Sequence, residues 1–426
     1  MSIKRTAYSF ILYLIFPIVL FRLYWRGRAN PAYRQRIFER LGFVQADSAK
    51  PILWVHAVSV GETIAAQPFI EGLISKYPEH RILLTTTTPT GSDRVKALFG
   101  DRVAHVYFPY DLPDIIARFI KRINPQALII VETEIWPNLF SKCHSKAIPI
   151  LMINARLSQR STQGYQKIKG LMAETLSCVN IIAVRSEEDK SNFLTLGAIE
   201  NQLEVVGNIK FDFRLDQQLV NKGLAWKKQW GEQRPVWVAA STHEGEDQKL
   251  VDIYKAVVKH FPELIFILIP RHPERFDSVF ELCESYFPTQ RHSKIGQSAY
   301  KHFKGSIILG DSMGEMQSWF AAADVVFIGG SLVETGGHNP LEAIAQGKPV
   351  VSGSHMFNFS DVVPDLQKRG LLFSFESAEA LTRKIILLFE KPDQTFKVKT
   401  QKIMQQNQGV TAQLLALFSG VLKAKN

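Results

Sequence analysis

The chain has 426 residues, 46% of them hydrophobic and 21% charged, a globular composition that excludes a disordered chain. That length exceeds what one ordinary core encloses, so two domains are expected. A formal net charge of +11 suits an anionic partner such as a phosphorylated substrate, an acidic membrane surface or nucleic acid. The three cysteines (Cys143, Cys178, Cys283) are far apart and lack C-x-x-C spacing, which argues against a disulfide framework or a zinc site and fits a reducing compartment.

The first predicted element is the apolar run "YSFILYLIFPIVLFRLYW", residues 8–25, just long enough to cross a bilayer. It lacks an A-x-A cleavage site, so a retained anchor over residues 1–28 is expected rather than a cleaved signal. Lys4 and Arg5 precede the run, and Arg22, Arg26, Arg28, Arg34, Arg36 and Arg40 lie within its end or beyond it. This heavier positive flank predicts that everything after the anchor faces the cytoplasm, with the arginines against anionic headgroups. Pro17 interrupts a short span, which leaves shallow insertion in one leaflet as the alternative to crossing.

From residue 51, short apolar strands alternate with helical stretches: "ILWVHAV", "RILLTTTT", "VAHVYFP", "ALIIVETE", "IPILMINA", "NIIAVRS" and "LEVVGN". Continuous apolar strands separated by helices mark a parallel sheet covered on both faces. The pattern loosens through a polar stretch, then restarts with "VWVAAS", "LIFILIP", "SIILGD", "DVVFIGGS", "KPVVSG" and "GLLFSF". The expected organisation is one α/β domain over 29–211, a linker over 212–234, a second α/β domain over 235–395, and terminal helices without a clear partner over 396–426.

Open α/β sheets bind ligands beyond the carboxyl ends of their strands. In the first half those ends deliver Ser59, Gly61 and Glu62, then Glu132 and Glu134, then Asn208 with Lys210. In the second half they deliver His243 and Glu244, Arg271 and His272, Asp311, and the stretch from Gly329 to Glu342. So much charge on one edge points to a ligand cleft between two domains. Glu62 at a helix start has a structural reading, a carboxylate favoured by the macrodipole, and a catalytic one, a general base. Glu132 and Lys210 are readable as a buried ion pair, as functional groups, or as both.

In "GGSLVETGGHNPLEAIAQGKPVVSG", Asn339 is placed to cap a helix, Pro340 is suited to its first position, and Gly336 and Gly337 allow close backbone approach. Such a helix start binds phosphate, and Glu342 is suited to a ribose diol. A plain glycine turn before an amphipathic helix is the structural alternative. Neither G-x-G-x-x-G after a first strand nor G-x-x-x-x-G-K-[ST] occurs, which disfavours NAD- and ATP-dependent chemistry. "HEGE" lacks the second histidine of a zinc H-E-x-x-H, and no G-x-S-x-G elbow is present. Nucleic-acid-binding modules are also missing.

The upstream "ILGDSMGEMQSWFAAADVVFIGGS" and the downstream "E-A-x-x-x-G-x-P-V" resemble the nucleotide-sugar half of GT-B glycosyltransferases. More specifically, "WVHAVSVGET", "VETEIWPN", "NARLSQRS", "VGNIKFD", "ASTHEGED", "PRHPERF", "GDSMGE" and "GGSLVETGGHNPLEA" run in the order found in the 3-deoxy-D-manno-octulosonic acid (Kdo) transferase family, over nearly the whole chain. The resemblance implies a GT-B fold with two Rossmann-like, doubly wound domains facing a central cleft, plus the N-terminal anchor. It implies inverting transfer of Kdo from CMP-Kdo to the lipid A precursor (lipid IVA), without metal or cofactor, on the cytoplasmic face of the inner membrane. The implied general base is Glu62, with Glu132 and Lys210 stabilising the transition state. CMP contacts are implied for Pro270, Arg271, His272, Asp311, Ser312, Met313, Gly314, Gly336, Gly337, His338, Asn339 and Glu342. Arg156, Arg160, Lys167 and Lys169 are candidates for the acceptor's phosphates or simply a solvated face. Another membrane-associated GT-B enzyme using a different nucleotide sugar is the alternative. A non-enzymatic scaffold has no use for carboxylates at strand ends.

Overall fold

The computed structural model describes residues 2–45, 50–213, 215–294, 305–360 and 362–423. The chain divides into two compact units, Met1–Asp212 with Asn407–Asn426, and Phe213–Gln406. The first is built on strands β1 (Ile52–His56), β2 (Arg81–Thr86), β3 (Ala104–Tyr107), β4 (Pro125–Val131), β5 (Ile150–Ala155), β6 (Ile181–Val184) and β7 (Leu203–Val205), all parallel in the order β3-β2-β1-β4-β5-β6-β7. Because side chains alternate across a strand, the apolar runs feed two cores at once. Trp54, Leu128, Ile130, Ile150 and Met152 pack with Phe119 and Phe140 on one face. Val55, Ile129, Val131, Leu151 and Ile153 pack with Phe69 and Ile70 on the other. The reversal of order about β1 and β4 places the carboxyl ends of these two strands, and the residues that follow them, at the topological switch point.

The second unit repeats the plan with β8 (Val236–Thr242), β9 (Ile265–Pro270), β10 (Thr289–Arg291), β11 (Ile307–Leu309), β12 (Val325–Ile328), β13 (Val350–Gly353) and β14 (Leu372–Phe375), parallel in the order β10-β11-β9-β8-β12-β13-β14. Trp237, Phe266, Leu268, Phe327 and Val351 form its core with Leu250, Tyr254, Leu381 and Ile385.

Two boundaries differ from expectation. The stretch read as a linker, 212–234, is largely the helix Gln217–Trp230, packed on the helix Met316–Ala322. Asp216 caps it, Gly223 lies against the Ser318 carbonyl, and the Trp226 and Trp319 rings are 4.5 Å apart. The terminal helices also have partners. Phe396–Gln406 belongs to the second unit, whereas Val410–Lys423 buries Val410, Leu414 and Phe418 in the core of the first. Asp212 receives the Gly409 and Thr411 N–H groups at 2.8 and 2.5 Å, fixing the helix start.

Among the described residues, one helix, Ile3–Ala29, is long and apolar enough to cross a membrane. Its first half is docked on the first unit, while most of its surface stays uncovered. Arg5, Tyr8, Ser9, Leu12, Phe16, Leu20, Leu23 and Gly27 follow the helical repeat and are the more covered positions. Tyr8 donates to Asp111 at 3.1 Å, Ser9 to Asn138 at 3.0 Å and Tyr13 to Asp114 at 2.5 Å. Phe10, Ile11, Leu14, Ile18, Phe21 and Trp25 remain exposed on the outward side.

Candidate active site

In the first unit, β1 ends at His56 and the chain turns through Ser59 into the short helix Val60–Ala65. Ser59 caps the helix by accepting from Glu62 N–H at 3.3 Å, and its hydroxyl donates back to Glu62 Oε1 at 3.0 Å. Val58 N–H donates to Glu62 Oε2 at 2.6 Å. These bonds fix the carboxyl in one orientation. Their effect on its charge is outweighed. Burial, then the neighbouring Glu132 charge, pushes Glu62 up to about 8, against an ordinary carboxyl value of 4.5. Burial and the Glu132 charge thus work against the helix start, which by itself favours the ionised form of Glu62.

Glu132 follows the buried strand β4 with a left-handed φ of 61°, a strained geometry for a residue with a β-carbon. Lys210 Nζ lies 3.4 Å from Glu132 Oε1. The lysine is placed by the turn Ile209–Phe211. Asn208 accepts from Lys210 N–H at 3.0 Å, and Asn154, itself at φ 54°, accepts from Ile209 N–H at 3.2 Å. Glu134 also belongs to the cluster; burial and the Glu132 charge push it up to about 7. The result is a cluster of three carboxyls and an ammonium at the ends of β1 and β4. Arg156, Arg160, Lys167 and Lys169 are exposed around the helix Gln159–Gln166.

The second unit contains a pocket of about 270 Å³ at the carboxyl ends of β8, β9 and β12. Pro270, Arg271, Ser312, Met313, Gly314, His338, Asn339 and Glu342 line it. Asn339 accepts from Leu341 N–H at 3.0 Å, but the helix Leu341–Ala345 begins one residue later than expected, with Pro340 rather than Asn339 in the capping position. Burial raises Glu342 above the ordinary carboxyl range. Ser241, at φ 59°, turns its carbonyl against Gly329, where a β-carbon would collide with it. Four expected contact residues lie outside the lining. Asp311 uses its carboxylate to accept from Ser293 N–H and Oγ at 2.8 and 2.6 Å, so it holds the loop rather than lining the pocket. His272 is exposed beside His243. Gly336 and Gly337, both at positive φ, pack against Met356, Phe357 and Asn358, which leaves no room for side chains there.

Sequence reasoning missed two groups. Glu246, fully buried, accepts four backbone N–H groups: His243 at 2.8 Å, Gly330 at 2.6 Å, Ser331 at 3.0 Å and Leu332 at 2.8 Å. The amides of the glycine-rich turn are thus taken by the protein's own carboxylate, not left for a phosphate. Its only signal was a second acid in "HEGE". His243 is expected at a strand end and excluded as a zinc ligand, but its partner is not legible: its Nε2 lies 2.8 Å from Nε2 of His338. Among the described residues, no group of three or more His, Cys, Asp or Glu side chains is placed to hold a metal ion.

Two parallel α/β units of this kind define the GT-B class of glycosyltransferases. A solved structure of MurG from Acinetobacter baumannii shares the fold at a TM-score of 0.54, with 10% identity, covering 87% of this chain and 99% of that one. Residues 35–213 match the family model described as 3-deoxy-D-manno-octulosonic-acid transferase (kdotransferase), and residues 301–408 match that of glycosyl transferases group 1. The chain is 38% identical over 426 residues to the 3-deoxy-D-manno-octulosonic acid transferase of Haemophilus influenzae, covering 98% of this chain and 99% of the relative. It is 34% identical to that of Bordetella pertussis over 375 residues, 85% of this chain and 86% of the relative. The chain belongs to the 3-deoxy-D-manno-octulosonic acid transferase family, and it is a glycosyltransferase.

Proposed function

We propose that the chain transfers Kdo from CMP-Kdo to a hydroxyl of the lipid A precursor, lipid IVA, at the cytoplasmic face of the inner membrane. The observation that carries this reading is the half-buried Glu62 carboxyl, oriented by Val58 and Ser59, in a chain of this family. In its ionised form Glu62 takes the proton of the acceptor hydroxyl as the oxygen attacks the anomeric carbon of Kdo. The bond from that carbon to the phosphate oxygen breaks, and its electron pair leaves with CMP. Attack opposite the leaving group inverts the centre in a single displacement. Lys210 and Glu132 act near the developing oxocarbenium ion, the ammonium offsetting the Kdo carboxylate and the carboxylate opposing the positive ring.

The pocket in the second unit holds CMP. Arg271 suits the phosphate, Glu342 the ribose hydroxyls, and Ser312 to Gly314 the base or phosphate through the loop. This reading assigns the leaving charge to cationic side chains rather than to a metal, and needs no cofactor. The outward apolar side of the helix Ile3–Ala29, with its docked inner side, supports lying in one leaflet over crossing the bilayer. The surplus positive charge then serves anionic lipids and phosphates rather than nucleic acid.

The test is to incubate the detergent-solubilised protein with CMP-Kdo and tetra-acylated lipid A precursor, and to weigh the lipid. Added mass of one or more Kdo units is expected. An unchanged lipid mass, with folded protein and fresh donor, overturns the reading.

A further inference from the structure

The pocket side of the second unit carries an arrangement that simple nucleotide binding does not need. The imidazoles of His243 and His338 lie nearly coplanar and meet edge to edge, 5.0 Å between ring centres and 9° between ring planes, with Nε2 atoms 2.8 Å apart. Neither nitrogen can be a donor to the other unless its partner presents a lone pair, so a single proton is held between the rings. Both rings are held by backbone. His243 N–H donates to Glu246, and His338 N–H donates to the Gly329 carbonyl at 3.1 Å. Both turn a Cδ2 edge toward Gly330, which leaves their Nδ1 edges directed away from that glycine. His338 lines the pocket together with Arg271.

We propose that His243 and His338 form a proton relay that takes up one proton when a phosphate anion binds beside Arg271, and delivers one to the phosphate oxygen released as the sugar–phosphate bond breaks. The inference rests on the reading that this pocket holds CMP. In the loaded relay His243 carries protons on both nitrogens, with Nε2–H directed at the Nε2 lone pair of His338, and His338 carries its proton on Nδ1. Cleavage leaves both electrons of the carbon–oxygen bond on the phosphate. The Nδ1 proton of His338 passes to that oxygen while the shared proton moves from His243 to His338. Both rings end neutral, CMP leaves protonated once more than its dianion, and the acceptor's proton remains on Glu62. His338 is here a catalytic residue, and His243 a positioning residue acting through it.

The surrounding charges explain why loading waits for the ligand. The charged groups facing the pair are Arg271, His272 and Arg275 from the turn after β9, and Glu246 from the turn after β8. Glu246 is occupied by four amides, and Arg275 pairs with Asp247. Burial, then His243 and Arg271, holds His338 down at about 4, so the empty pair is neutral at physiological pH. An incoming phosphate reverses the local sign and favours the extra proton.

The experiment is calorimetric titration of full-length, detergent-solubilised protein with CMP and with cytidine at pH 7.5, in two non-phosphate buffers of different ionisation enthalpy. The difference between buffers counts protons taken up. CMP should take up close to one proton and cytidine close to none. His243→Gln and His338→Gln should each reduce the CMP value to near zero, and the parent's CMP affinity should fall by up to about tenfold per pH unit between the free-state and the bound-state pKa of the pair, levelling off above the latter. Should one variant fail to fold, the other carries the test. CMP bound with no proton uptake, or uptake unchanged in a folded variant, overturns the relay and leaves the donor-pocket reading intact. No binding of CMP by folded protein overturns both.

Discussion

Glu62 sits at the third position of a short capped helix, where amide dipoles and two hydrogen bonds favour its charge, yet burial among carboxyls dominates and raises its pKa to about 8. Two consequences are measurable. Transfer should climb with pH toward a limb near 8, because only the ionised form accepts the acceptor's proton; a flat profile between pH 6 and 9 excludes Glu62 as base. Stability has the opposite slope. Between 4.5 and 8 the native carboxyl binds more protons than the unfolded one, so folding stability declines as pH rises through that window, by up to about 1.4 kcal/mol per unit. Glu62→Gln should therefore abolish transfer, still bind CMP, and raise the melting temperature more at pH 8 than at pH 5. Thermal melts of both proteins at the two pH values check the sign. The position and neighbours of Glu62 on the chain were legible as a strand-to-helix turn, but its protonation was not, because the burial and the Glu132 charge come from residues that meet only in the fold.

The N-terminal helix shows the same division at the level of an element. Its length and apolar run were plain, and they make it compatible with a membrane anchor. The side it keeps against the protein was hidden, since Tyr8, Ser9 and Tyr13 look unremarkable in an apolar stretch until Asp111, Asn138 and Asp114 are brought beneath them. Substituting the outward Ile11, Leu14 and Ile18 by aspartate should release the protein from membranes without lowering its melting temperature, as read by flotation and thermal melts. Tyr8→Phe should instead leave membrane binding intact and destabilise the first unit by about 1 kcal/mol, since buried Asp111 loses one of its donors. The edge strand β10 escaped sequence reading for a related reason: Thr289–Arg291 is three half-buried polar residues, and only pairing with β11 makes them a strand.

Across the whole molecule, the chain leaves the first unit at residue 212 and returns to it at 407. The return was invisible in a Lys- and Gln-rich tail. Phe418 is fully buried there, edge-on to Phe69 and Tyr77. Truncation before Asn407 should therefore damage the first unit rather than trim a tail, giving insoluble protein, and Phe418→Ala should cost about 3–5 kcal/mol in chemical denaturation. A stable, soluble product of the truncation would contradict this packing.

The sequence by itself determined the two parallel sheets, the long apolar N-terminal helix and the positions of Glu62, Glu132, Lys210 and Arg271 just beyond strand ends. Each of those follows from local periodicity and from the rule that such sheets work at their carboxyl edges. Only the tertiary structure decided that burial and Glu132 push the Glu62 carboxyl upward, that Glu246 fills the turn after β12, that His243 meets His338, and that the last helix belongs with the first domain. These depend on distances between residues far apart in the chain, and on the desolvation that packing them together imposes.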